Sequence, residues 1–233
     1  MQGREGEVGA TMRRMLRSEL ESLFVDVLDG RRLLEHPFYR RWEAGELAPS
    51  ELAAYAGQYR HFERLLPEIL ERITARIDDP AAKNLVQANL DDERSVPEPH
   101  LALFDEFCAA VGGESDDAPS GATEALTGIY RRFAESHPSE ALAAIAAYEV
   151  QAAEIATSKA TGLRVHYGLE ETHTRFWDVH GSIDSTHATW TLDALAAIGS
   201  DETQIRLAAG VAAEGWWSFL DEREKAGAST STA

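Results

Sequence analysis

Apolar residues recur at intervals of three and four along almost the whole of this chain. The first such segment covers about residues 8–29 and has Leu16, Leu20, Leu23, Phe24 and Leu28 at these intervals. This spacing places side chains on one face of an α-helix, whereas a half-buried strand would alternate at every second residue. Runs of alternating β-branched residues are not evident, so the pattern predicts an all-α protein.

Prolines, glycines and polar clusters divide the pattern into further helices. Residues 33–47 predict a short helical connection broken near Pro37, and a long helix follows over about 48–77. Pro49 falls in its first turn, where proline is tolerated, and Pro67 falls inside it, where proline should cause a kink. Further helices are predicted at about 78–95, 99–112, 121–135, 138–167, 171–198 and 201–226, with a polar loop at 112–120 and glycines at 168 and 199.

The length of the chain favours one domain. With 233 residues, of which 44% are hydrophobic, the chain can build one sizeable core and is short for two. We expect a single domain over residues 1–233, with a core at about 8–226 and frayed ends. Long amphipathic helices joined by short links are typical of a helical bundle.

The charge of the chain excludes some classes of partner. A formal charge of −18 would repel nucleic-acid phosphates and anionic lipid, so neither nucleic acid nor membrane is an expected partner. No apolar run approaches the roughly 18 residues of a membrane span, and no signal peptide is evident. The chain has a single cysteine, Cys108, which fits a reducing cytoplasm. We expect Cys108 to be buried and to pack as a small apolar side chain. We expect a homodimer; Trp216 and Trp217 could mark its contact or could pack on the core.

One predicted helix carries a stripe of potential metal ligands. His180, Asp184 and His187 are separated by four and three residues, so they fall within about 60° of each other around a helix. Two imidazoles and a carboxylate on one stripe are typical of the metal sites that bundles build from facing helices. Either histidine alone could instead be a hydrogen-bonded core residue.

Three more residues extend this set. Glu93 closes one predicted helix, His100 opens the next, and Glu149 lies in a strongly apolar helix where an ionised carboxylate is costly unless a cation pairs with it. Mixed nitrogen and carboxylate ligands suit iron or manganese better than structural zinc. Glu93 could also be plain surface, and Glu149 could pair with an arginine.

At these residues the sequence resembles a known family, the haem-oxygenase-like dimetal oxidases of the TenA/PqqC-like superfamily. The segments that carry the resemblance are "HPFYRRWEAGELAPSELAAYAGQY", "LDDERSVPEPH", "AAYEVQAAEIATSKATGLRVHYGL" and "HGSIDSTH". It covers about residues 30–200. It implies a bundle of about seven helices that binds two non-haem metal ions, Fe/Fe or Fe/Mn, with dioxygen as co-substrate and an external reductant. The six implied ligands are Glu93, His100, Glu149, His180, Asp184 and His187.

Within this family the chain is most similar to the 4-aminobenzoate synthase branch, which includes the chlamydial protein associating with death domains. The resemblance implies synthesis of 4-aminobenzoate for folate, in which the protein's own tyrosine is cleaved and a lysine supplies the amino group. The tyrosine carries over to Tyr39 and the lysine to Lys159, with further family tyrosines at Tyr55 and Tyr148. The sequence departs from the branch at Phe176, where the family has a tyrosine. Lys159 could otherwise be a charge partner for a nearby acid, and Tyr39 a packed aromatic.

Alternative functions remain open from the sequence. The same metal chemistry could act on an external fatty acid or amino acid; an apolar channel would favour this, and a closed pocket around Tyr39 would favour self-sacrifice. A TenA-like hydrolase of thiamine fragments needs a cysteine nucleophile in the bundle, and Cys108 lies elsewhere. A PqqC-like cofactor-free oxidase would leave Glu93 and Glu149 unexplained. A non-enzymatic regulator of transcription is disfavoured by the acidic charge.

Overall fold

The computed structural model describes residues 13–95 and 98–230, and the regular structure of these residues is helical. The α-helices are α1 (Arg17–Val27), α2 (Pro37–Ala44), α3 (Pro49–Arg76), α4 (Pro80–Ser95), α5 (His100–Ala110), α6 (Gly121–Ala134), α7 (Pro138–Tyr167), α8 (Glu171–Ile198) and α9 (Glu202–Thr230). The all-α prediction is confirmed.

The described residues contain nine α-helices rather than about seven. Proline accounts for several of the divisions, since Pro37, Pro49, Pro80 and Pro138 are each the first residue of a helix. Proline is favoured at this position because its missing N–H would have no partner inside the helix anyway. Pro67 lies within α3, which continues through it to Arg76.

The predicted first helix begins too early. Residues 8–12 lie outside the described residues, and Arg13 pairs with Ser200 through two backbone hydrogen bonds of 3.1 and 2.8 Å instead of entering a helix. Leu16 is the N-cap of α1 and is exposed, whereas Leu20, Leu23, Phe24 and Leu28 are buried as predicted. At the other end, α9 continues to Thr230 rather than ending at about 226.

The two long helices α7 and α8 pack against each other in antiparallel orientation. Arg164 near the end of α7 binds Asp178 near the start of α8, and further along the pair Gly181 lies against Thr157. The α7 segment 141–147 is fully buried and consists mostly of alanine, so neighbouring helices can approach it closely. The two helices are joined by a loop of three residues that begins with Gly168, which has a left-handed backbone conformation. This short loop fixes the register of α7 against α8.

Two further expectations concern single residues. Cys108 is a buried free cysteine, as predicted. Trp216 is buried and donates a hydrogen bond to Tyr130 at 2.8 Å, so it packs on the core, while the Trp217 ring contacts His36. Among the described helices, none combines the length and the apolar character that crossing a membrane requires.

Candidate metal site and lysine cage

The last turn of α4 and the first turn of α5 bring two predicted ligands together. Glu93 Oε2 lies 3.0 Å from His100 Nδ1, and both side chains are buried. The rings of His100 and His180 are 4.5 Å apart between centroids. One ligand atom each from Glu93, His100 and His180 lies within 4.8 Å of the others, which is close enough for a shared metal ion.

Neighbouring groups orient two of the histidines. His180 Nδ1 donates a hydrogen bond of 2.7 Å to the backbone carbonyl of Phe176, one turn earlier on α8. This bond leaves the Nε2 lone pair of His180 free, an arrangement that is usual for metal-binding histidines. His187 Nε2 contacts a carboxylate oxygen of Asp92 at 3.2 Å, and its Nδ1 lies 3.5 Å from Asp184 Oδ1.

Several buried atoms near these residues lack partners. Glu149 Oε1 accepts a hydrogen bond of 2.7 Å from Asn89, but its Oε2 has no hydrogen-bond partner among the described residues. Neither ring nitrogen of His100 makes a geometrically sound hydrogen bond within the same part of the chain. Buried polar atoms normally have hydrogen-bond partners, so unpartnered oxygen and nitrogen atoms of this kind fit a site that binds a metal ion.

The buried acids and histidines of this site change each other's pKa values. Although burial opposes it, the neighbouring carboxylates Asp184, Glu149 and Glu93 raise the pKa of His187 to about 9. Burial lowers the pKa of His180, and it raises the pKa of Glu149. Burial also acts to raise the pKa of Glu93, but His100 holds it below its usual value.

These observations fit a metal ion in terms of donor chemistry. Glu93, His100, Glu149, His180, Asp184 and His187 together form what we call the histidine–carboxylate cluster. Three imidazoles and three carboxylates match the preference of iron or manganese for mixed nitrogen and oxygen ligands. A cation would also compensate the buried carboxylates and use the unpartnered atoms.

Lys159 lies in a second buried region, on the same helix as Glu149. Its side chain is only 2% exposed, and its Nζ donates a hydrogen bond of 2.6 Å to the hydroxyl of Tyr55. Five aromatic rings have centroids 4.0–5.9 Å from Nζ; these rings, which with Lys159 form the lysine cage, belong to Tyr39, Trp42, Tyr55, Tyr59 and Trp177. In the described part of the chain no carboxylate lies within ion-pair distance of Lys159, although the charges of Glu63 and Asp184 act on it from further away. Burial lowers its pKa well below the usual value for lysine.

The predicted tyrosines form hydrogen-bonded pairs beside Lys159. Tyr39 and Tyr55 share a hydrogen bond of 2.8 Å between their hydroxyls, and Tyr59 and Tyr148 share one of 2.7 Å. Tyr59 also stacks on Tyr55, with ring centroids 5.4 Å apart. Tyr39 is 1% exposed, so its ring is enclosed in a pocket formed by protein side chains.

The sequence analysis missed one residue of this region, Glu63 on α3. Its side chain is 4% exposed, and within the described residues its Oε2 has no hydrogen-bond partner. Burial raises its pKa well above the usual value, and Glu93 and Asp184 raise it further. The signal in the sequence was a glutamate one turn after Tyr59 on the apolar face of α3, next to Phe62.

The remaining histidines lie away from the cluster. His137, His166 and His173 are exposed, and His61 bonds the backbone carbonyl of Asp117. His36 is buried; its side chain caps α2 and contacts Asp221. Phe176, the position that departs from the family, packs its ring 4.0 Å from that of His180.

Comparison with known proteins agrees with this geometry. The chain is 29% identical over 214 residues to a 4-aminobenzoate synthase from Chlamydia muridarum, covering 87% of this chain and 91% of that protein. It is 30% identical over 217 residues to a 4-aminobenzoate synthase from Nitrosomonas europaea, covering 84% and 87%.

The fold has close structural relatives as well. A TenA homologue from Pseudomonas syringae superposes with a TM-score of 0.79 at 16% identity, covering 94% of this chain and all of that one. A family model described as iron-containing redox enzyme matches residues 53–217, which include every member of the histidine–carboxylate cluster. The chain therefore belongs to the family of iron-containing redox enzymes, and it has the TenA-like, haem-oxygenase-like helical fold.

Proposed function

We propose that this enzyme is a dimetal oxidase that makes 4-aminobenzoate from its own Tyr39, with Lys159 as the source of the amino group. The observation that carries the proposal is the lysine cage: the Lys159 amine lies 4.7 Å from the centroid of the Tyr39 ring, in a pocket closed by aromatic side chains. The similarity to two 4-aminobenzoate synthases over more than four fifths of the chain supports the same assignment.

The histidine–carboxylate cluster would hold two ions, Fe/Fe or Fe/Mn. When bound, this centre would supply the oxidising power of dioxygen, with electrons from an external reductant. Asp92 and the Phe176 carbonyl would keep His187 and His180 in orientation, as outer-shell groups do in metal sites.

The residues of the lysine cage would prepare the substrate groups. Burial lowers the pKa of Lys159, which favours the neutral amine, whose free lone pair a nitrogen donor needs. The Tyr55 hydroxyl contacts both the Tyr39 hydroxyl and the Lys159 amine, so it holds the two reacting groups in register. The enclosing rings exclude water, which would otherwise compete for a reactive aromatic intermediate.

An external substrate is the second candidate, because a groove lies close to the cluster. The groove has a volume of about 330 Å³ and runs between α1, α7 and α8. Its apolar lining includes Val150 and Ala188, which follow Glu149 and His187 directly in sequence. A small apolar or amino-acid substrate could enter through this groove.

The test is an aerobic assay of protein loaded anaerobically with ferrous iron and supplied with a reductant. We expect 4-aminobenzoate from the wild-type protein, detected by liquid chromatography and mass spectrometry, and none from Tyr39→Phe or Lys159→Met. The matched controls are Tyr167→Phe and Lys83→Met, which alter a tyrosine and a lysine outside the cage. Product from Tyr39→Phe at the wild-type level would contradict self-sacrifice and favour the external substrate.

A further inference from the structure

Helices α3 and α5 pack in antiparallel orientation, and their register can be read from three contacts. Gln58 on α3 donates a hydrogen bond of 3.0 Å to the carbonyl of Ala118, beyond the end of α5. Arg60 binds the Asp105 carboxylate at 3.0 Å. Residues later in α3 therefore lie beside residues earlier in α5.

The third contact brings this register close to the cluster. The Tyr59 ring stacks on Phe104 with centroids 5.3 Å apart. One helical turn forward on α3 from Tyr59 is Glu63, and one turn back on α5 from Phe104 is His100. The antiparallel register thus sets Glu63 level with His100, at the end of α5 that meets Glu93.

The chemistry of Glu63 is unusual for a structural residue. It is a carboxylate with 4% exposure and an unpartnered oxygen, and no arginine or lysine pairs with it in the described part of the chain. The charged neighbours that affect it most are two other carboxylates, Glu93 and Asp184. Glu93 faces His100 and Asp184 faces His187, whereas no cationic side chain lies within ion-pair distance of Glu63 among the described residues. Burying this third carboxylate beside the other two is costly, and the cost falls when a multivalent cation lies among them.

We propose that Glu63 is a seventh metal-binding residue, which adds a carboxylate from α3 to the six ligands of the histidine–carboxylate cluster. This inference rests on the proposed function, because it requires that the cluster binds metal. An added carboxylate would raise the negative charge of the site and would favour a second divalent ion. It would also tie α3, which carries Tyr55 and Tyr59 of the lysine cage, to the metal site.

The test is an anaerobic titration of the metal-free protein with ferrous iron, followed by dialysis and metal analysis. We expect two equivalents in the wild-type protein, and in Glu63→Gln a second equivalent that binds at least about 10–100-fold more weakly, because losing a group that only orients a ligand already has that effect. Glu63→Asp keeps the charge and should fall between the two. The matched control is Glu68→Gln, an exposed glutamate of the same helix, which should bind iron like the wild type.

Mössbauer spectra of the ⁵⁷Fe-loaded proteins give a readout that is independent of activity. If Glu63 is a ligand, the quadrupole doublet of one iron site changes in Glu63→Gln while the other is retained. Two equivalents with unchanged affinity and unchanged spectra in Glu63→Gln would overturn the role of Glu63 and leave the proposed function intact. Failure of the wild-type protein to bind iron would overturn both. Circular dichroism checks that each variant is folded, and Glu63→Asp provides the test if Glu63→Gln is not.

Discussion

The histidine–carboxylate cluster and the lysine cage both bury ionisable side chains, but these side chains have different partners in the two regions. In the cluster, acids and bases face each other, as at the contact of 3.0 Å between Glu93 and His100. In the cage, the Lys159 amine contacts aromatic rings and the Tyr55 hydroxyl, and among the described residues no carboxylate lies within ion-pair distance of it. The two regions share a helix: Glu149 and Lys159 on α7 are ten residues apart, which is about 15 Å. The donor set of the cluster suits a cation, whereas burial in the cage works against the charged form of Lys159.

The largest effect should come from removing a ligand of the cluster. His180→Ala removes one of the three residues whose donor atoms lie within 4.8 Å of each other, so iron binding should weaken by more than the roughly 100-fold upper range for outer-shell groups. Anaerobic ferrous titration measures this change. The matched control is His173→Ala, an exposed histidine two turns earlier on α8. Equal iron binding in the two variants would show that the cluster is not a metal site.

In the lysine cage, a substitution should stabilise the protein, because the buried Lys159 lowers the free energy of unfolding at neutral pH. Its folded-state pKa is lowered by burial, so below about pH 10.4 the unfolded chain binds more protons than the folded protein, and the free energy of unfolding rises with pH in that window. Lys159→Met removes this cost. We expect a higher Tm at pH 7, by roughly 2–4 °C per kcal/mol gained, with a gain that shrinks as the pH approaches 10.4.

Thermal unfolding of the metal-free protein at several pH values checks this prediction. Lys83→Met, which replaces an exposed lysine, should leave Tm nearly unchanged at every pH. A lower Tm for Lys159→Met at pH 7, or a difference that grows with pH, would mean that the cage stabilises a charged lysine instead.

A smaller effect is expected from the hydroxyl that links the two reacting groups. Tyr55→Phe leaves the Tyr39 hydroxyl and the Lys159 amine without their shared hydrogen-bond partner. We expect the free energy of unfolding to fall by about 1–3 kcal/mol. Iron binding should not change, since Tyr55 belongs to the cage only. A double-mutant cycle with Tyr39→Phe should give a coupling energy above about 0.5 kcal/mol. Additive effects would indicate that the two hydroxyls act independently.

Local spacing in the sequence carries part of the cluster but none of the cage, for a physical reason. His180, Asp184 and His187 lie on one stripe of one helix, so their spacing alone sets their geometry. Lys159 has no such local signal: only the packing of α2, α3 and α8 around α7 brings five rings to its amine. The resemblance to a known family singled out Lys159, but the absence of an acid partner became visible only in the structure.

Two errors have the same origin. Glu63 was missed because helical periodicity cannot tell a glutamate at the edge of an apolar face from one aimed into the core; the register between α3 and α5 decides it. The early start predicted for the first helix failed because Arg13 finds its backbone partner in Ser200, nearly the whole chain away. Helix boundaries at proline and glycine were predicted well, since there the local backbone chemistry is decisive.

The most direct test of the central claim, that the cluster and the cage form one self-consuming reaction site, is an isotope experiment. The protein is produced with ring-¹³C-labelled tyrosine, loaded with ferrous iron, and exposed to oxygen and a reductant with no labelled small molecule present. The account predicts 4-aminobenzoate that carries the ring label, in an amount not exceeding one product per chain. Unlabelled product, or many turnovers per chain, would contradict it and would assign the chemistry to an external substrate.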